Sequence, residues 1–206
     1  MMGRRVCKHR PLHAGFAWVV RRFVDHAAKA VLIVLVLSAV AFARRGEAPV
    51  SARLTITPMH EVVAVQLPAI DAGMLQRQEQ QREKPGVARY AVPAEVHLTP
   101  QTTGTWDQLP EGGRLWRLRI EAPGATDLNF GFTRYRLPQG AMLHIISSGS
   151  DNVYEGPYTA QDNKDHGQLW TPPVKGGQAV LELYLPSGAE EPELVLTRVG
   201  RGFRAP

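Results

Sequence analysis

Short apolar runs with a period of two dominate the chain beyond residue 87. Val96 and Leu98 flank His97, while Trp116, Leu118 and Ile120 alternate with Arg117, Arg119 and Glu121. Each run predicts a strand with one face in and one face out. Residues 141–146, 179–185 and 194–199 add further apolar runs. Leu128, Phe130 and Phe132 share one parity and Tyr135 and Leu137 the other, a slip that a bulge or bend would produce. Pro110-Glu111-Gly112-Gly113, Pro123-Gly124, Pro138-Gln139-Gly140, Lys175-Gly176-Gly177 and Pro186-Ser187-Gly188 separate the runs as turns. About seven or eight short strands with such spacing predict a mainly β fold, an antiparallel β-sandwich of jelly-roll type over residues 87–204.

The first 86 residues read differently. Residues 30–43 carry no charge and follow Arg4, Arg5, Lys8, Arg10, Arg21, Arg22 and Lys29. A spanning helix needs about 20 apolar residues, so this run fits the core of a signal peptide over 1–43, cut after Ala41-Phe42-Ala43. Secreted or periplasmic localisation follows, with the leader as the only contact with a membrane; an uncleaved inner-membrane anchor is the alternative. Residues 44–86 are expected to be mostly linker, with Val62-Val63-Ala64-Val65 as a candidate short strand isolated between Pro58 and Pro68, and a helix over 72–84 that Asp71 caps and Pro85-Gly86 ends.

Charge changes the picture only until the leader is subtracted. Seven of the 24 basic residues and one of the 19 acidic ones lie before residue 44, leaving 17 against 18. The basic excess therefore belongs to the leader, and nucleic acid is not an expected partner, since phosphate binding needs a basic stripe on the folded domain. Arg114, Arg117 and Arg119, then Arg134 and Arg136, are expected on solvated strand faces. The single cysteine, Cys7, lies in the leader, so the remainder has no disulfide and no thiolate metal site.

No motif for nucleophilic catalysis stands out. Gly149-Ser150-Asp151 lacks the flanking glycines of a nucleophile elbow, and His60, His97, His144 and His166 are scattered singly, as surface or half-buried residues. Trp116, with its alternating neighbours, is expected in the core, whereas Trp106 and Trp170 stand at loop edges.

Taken in order, Gly104-Thr105-Trp106, Leu115-Trp116-Arg117-Leu118-Arg119-Ile120, Leu128-Asn129-Phe130-Gly131-Phe132-Thr133-Arg134-Tyr135, Gly156-Pro157-Tyr158-Thr159, Asp162-Asn163 and Gly167-Gln168-Leu169-Trp170-Thr171-Pro172 carry a resemblance. Over roughly residues 88–204 the chain resembles the non-catalytic, pro-region-like N-terminal domain of secreted bacterial trypsin-like serine proteases of the lysyl-endopeptidase kind. The resemblance implies a module without catalytic residues or cofactors that assists the folding of its enzyme or holds it inactive. Its partner would be a trypsin-like protease domain, encoded separately if this chain is a truncated or split product. The Ala-His-Cys and Gly-Asp-Ser-Gly-Gly contexts of that protease domain do not occur here. Trp106, Tyr158, Trp170, Phe203 and Arg204 are the candidate contacts. The alternative is a stand-alone secreted adaptor that binds carbohydrate through its tryptophans or calcium through loop oxygens. For calcium, Asp151-Asn152 and the stretch from Asp162 to Asp165 supply the oxygens, and Asp162 and Asp165 are the weak candidate ligands.

Overall fold

Alternation in the sequence becomes two facing sheets in the computed structural model, which describes residues 47–82, 89–147 and 153–204. The leader and its cleavage point, Pro85-Gly86 and Gly149-Ser150-Asp151-Asn152 lie outside the described residues. In chain order the elements are β1 (Ala64–Gln66), α1 (Ala72–Gln80), β2 (Ala91–Leu98), β3 (Thr105–Gln108), β4 (Arg114–Glu121), β5 (Asp127–Arg136), β6 (Met142–Ser147), β7 (Tyr154–Tyr158), β8 (Leu169–Trp170), β9 (Val174–Lys175), β10 (Gln178–Leu185) and β11 (Glu193–Gly202). One sheet runs β1-β4-β10-β6-β7, with β3 also on β4; the other runs β2-β11-β5-β8, with β9 also on β5.

The inner faces are those the period of two marks. Trp116, Leu118 and Ile120 from β4, Leu143 and Ile145 from β6, and Leu181 and Leu183 from β10 meet Leu128, Phe130 and Phe132 from β5 and Leu196 and Val199 from β11 in one cluster. The parity slip in β5 is a bulge: Phe132 opposes Leu196 and Arg134 opposes Val195, leaving Thr133 without a partner residue. That extra residue turns Tyr135 and Leu137 back into the core. Burial pushes the Tyr135 phenol far above its ordinary value, helped by Asp162 and Tyr158, and its hydroxyl donates to the Thr159 carbonyl at 3.1 Å. Trp116 is buried as expected; its Nε1 donates to the Thr103 carbonyl at 2.7 Å. Gly104, at φ 112°, makes that possible, because a Cβ there would fall 2.1 Å from the indole nitrogen.

Three expectations need correction. First, the segment expected to be linker is part of the sandwich. β1 pairs with β4 in parallel, so the sheet is not purely antiparallel, and Val50, Val62 and Leu67 are buried. Its apolar residues are too sparse to show a period, and a parallel edge pairing is made with a strand more than 50 residues away in sequence. Second, α1 ends at Gln80 rather than 84. Asp71 does cap it, accepting from the Met74 amide at 2.8 Å, but the amide of Gln81 closes the last turn onto Arg77 and Glu79. A helix this polar has little apolar surface to hold further turns against the sheet. Third, Arg117 and His144 are neither solvated nor half-buried; both are fully enclosed on the outer face of the β4-β10-β6 sheet.

Candidate functional site

The enclosure of Arg117 and His144 comes from residues 47–57, which run across that outer face as a strap. Glu182 on β10 lies directly opposite Arg117 on β4 and His144 on β6, so the three side chains form one row across three strands. Their exposures are 2 %, 0 % and 0 % for Arg117, Glu182 and His144. Each holds a main-chain atom of the strap. Arg117 Nη2 donates to the Thr57 carbonyl at 2.6 Å, the Ser51 amide donates to Glu182 Oε1 at 3.2 Å, and His144 Nε2 meets the Glu47 carbonyl at 2.8 Å. A second residue, Asp107 on β3, completes the Arg117 end: it accepts from Arg117 Nη2 at 2.8 Å and from the Thr57 amide and hydroxyl. Beside the row, Val50 of the strap drops into an apolar pocket with Leu109 and Leu115, flanked by Ile56, Met142 and Tyr184.

The electrostatics of the row follow from burial. Desolvation pushes the Asp107 carboxyl up, but its bonds from Thr57 and Arg117 outweigh that and hold it below its ordinary value. Burial lowers His144, against the pull of the Glu47 carbonyl and the Glu182 charge. Arg117 Nε, Glu182 Oε2 and His144 Nδ1 are buried without a hydrogen-bond partner among the described residues. No signal in the sequence marked Glu182 as part of a site, because a lone acid in an apolar strand reads as an outward residue.

The outer face of the other sheet is built differently. Trp170 on β8 pairs with Gly131 on β5, and Gly131 pairs with Arg198 on β11, which in turn pairs with Glu95 on β2. The result is a surface ladder: the indole lies on Gly131, the Arg198 guanidinium sits 5.9 Å from the ring centroid, and Arg198 Nε donates to Glu95 at 2.8 Å. Beside it is a groove of about 540 Å³ lined by Arg82, Arg89, Tyr90, Asn129, Trp170 and Arg198 among others. Trp170 is 50 % exposed and Tyr90 53 %. Tyr90 was not singled out by sequence, since a tyrosine just before a strand carries no pattern.

The structure does not gather the five candidate contacts into one patch. Trp170 is open to solvent in the groove. Trp106 is half-buried on β3, with Nε1 donating to the Pro100 carbonyl at 2.9 Å and Arg114 4.9 Å from its ring. Tyr158 sits half-buried on the edge strand β7, opposite Leu143. Phe203 is wholly buried: its amide donates to the Tyr90 carbonyl at 2.9 Å and its carbonyl accepts from Gln76 of α1 at 2.6 Å. It therefore anchors the helix rather than offering a surface. Arg204 is half-buried beside it, with its guanidinium 5.8 Å from the Phe203 ring.

Asp162 spends its carboxylate on the chain itself. It accepts from the Thr159 amide at 2.8 Å and closes a capping box around the turn Ala160–Asp162. Asp165 is exposed, and among the described residues no three His, Cys, Asp or Glu side chains converge on a metal-sized site. No helix among the described residues is long and apolar enough to cross a membrane.

Compared with known families, residues 56–197 match the family model described as the lysyl endopeptidase N-terminal domain. The match begins in the strap and ends within β11, so it takes in both sheets.

Proposed function

The chain belongs to the lysyl endopeptidase N-terminal domain family, and from that premise we propose that it is an exported, non-catalytic module that binds a trypsin-like protease domain and assists its folding or holds it inactive. The observation that carries a binding role is the groove beside Trp170. Tyr90 and Trp170 are large aromatic side chains left half-exposed, and both line it together with Arg82, Arg89 and Arg198. Aromatics and arginines are the residues enriched where protein interfaces form, and an exposed tryptophan held in a fixed orientation is a strong anchor. Arg82 and Arg89 share the one carboxylate of Glu79 and Arg198 is paired with Glu95, so the cluster keeps a positive excess, which favours an acidic surface on the partner. An interface of ordinary size, about 1,600 Å², reaches beyond the groove onto the neighbouring strand faces.

The test is to denature a lysyl-endopeptidase-type protease domain and refold it with and without this chain, then measure peptidase activity and its inhibition by added chain. The reading predicts a higher refolding yield or inhibition that saturates with concentration, and loss of either with Trp170→Ala.

A second reading, a saccharide-binding adaptor, is favoured by the open side of the Trp170 ring, which offers a sugar a flat apolar surface. Retention of the chain on a polysaccharide column, abolished by Trp170→Ala with the protease unaffected, would select it.

A further inference from the structure

We propose that residues 47–57 form a latch on the outer face of the β4-β10-β6 sheet, closed while His144 is neutral and released from its N-terminal end when His144 takes up a proton. The contact with the strap fixes the tautomer of His144. A carbonyl oxygen only accepts, so the 2.8 Å contact with Glu47 places the imidazole proton on Nε2 and leaves Nδ1 bare. Nδ1 is buried and has no partner among the described residues, so a second proton would enter a closed site with nothing to receive it.

The charges around the ring decide where it turns. Glu182 faces it from β10, Glu47 and Arg53 from the strap, and the Tyr154 ring of β7 lies edge-on 5.7 Å away; Arg117 stands beyond Glu182. Glu47 and Arg53 are exposed and paired with each other at 2.8 Å, which leaves Glu182 as the buried anion within reach. Glu182 Oε2 is itself without a partner, although it sits on the residue directly opposite His144. The two orphan atoms do not meet in this arrangement, so an imidazolium and Glu182 pair only if both side chains turn. That turn draws Nε2 away from the Glu47 carbonyl and Oε1 away from the Ser51 amide, the two bonds that hold the first half of the strap. The Thr57 end stays fixed, because Arg117 and Asp107 bind it independently of His144. With the first half free, Val50 leaves the pocket of Leu109, Leu115, Met142 and Tyr184.

Burial acts in the same direction, because it lowers the proton affinity of His144 in the closed form. Closure is then complete above the ordinary histidine value of 6.5 and is lost as the pH falls below it. The device lies on the opposite outer face from the Trp170 groove and does not depend on what binds there.

Hydrogen exchange of the full chain from pH 7.5 to 5, corrected for intrinsic exchange rates, tests it. Protection of the Ser51 amide should fall at least tenfold in the wild type while that of Leu181 in β10 holds, and His144→Gln, whose amide donates without titrating, should keep Ser51 protected throughout. Constant protection of Ser51, loss of Leu181 in step with it, or equal opening in His144→Gln would overturn the latch. Should the variant not fold, NMR of the wild type decides: the His144 ring and the Ser51 amide must titrate with one midpoint, and a ring that titrates while Ser51 stays unmoved refutes it.

Discussion

Trp170 rests on Gly131: a Cβ on that glycine would fall 2.6 Å from the indole ring. The β5 strand thus holds a glycine where the ring of its neighbour must lie, and the contact fixes the orientation of the exposed aromatic. Gly131→Ala should lift the ring and destabilise the fold by about 1–3 kcal/mol through overpacking. A urea titration together with tryptophan emission checks this; the midpoint should drop and the emission shift to the red.

Arg117 is the charge on which the strap's second half depends. Removing it leaves Asp107, whose side chain is 11 % exposed, without its cation, and losing one partner of a buried pair costs about 3–5 kcal/mol. Arg117→Ala should therefore lose stability of that order in chemical denaturation, and Asp107→Asn in the same chain should restore part of it. Simple addition of the two losses would show that the residues do not act together.

Acid should weaken the same corner. The Asp107 carboxyl is held below its ordinary value of 3.8, so the native state binds its proton less readily than the unfolded chain. Its contribution is present in full above that value and disappears as the pH falls through the lower, native one. Thermal melts from pH 6 to pH 2 should show a loss of stability that Asp107→Asn makes shallower.

The hydroxyl of Tyr135 reaches the Thr159 carbonyl from inside the core. Tyr135→Phe keeps the ring and removes that bond, so it should cost about 1 kcal/mol, read as a lowered denaturation midpoint.

How much of this was legible depends on range. The strand cores at Trp116–Ile120, Leu128–Phe132 and 179–185 follow from local alternation, and so does the β5 bulge, because each is written in neighbouring residues. The fate of Arg117 and His144 is not, since both look like outward strand residues until a segment some 60 to 100 positions earlier covers them. Trp170 was readable as a loop-edge aromatic, but Gly131 and Arg198, which shape its surroundings, join it only through sheet pairing. Phe203 was readable as an aromatic contact candidate, but it is wholly buried, and its main chain is tied to Gln76 of α1 and to Tyr90 by bonds that no local pattern encodes.

Recognition of a lysyl-endopeptidase-type protease domain is read by calorimetric titration of such a domain with the full chain. Saturable binding near one to one, weakened tenfold or more by Trp170→Ala, is the expected result; absence of binding at high micromolar concentration, or binding indifferent to Trp170, would contradict it.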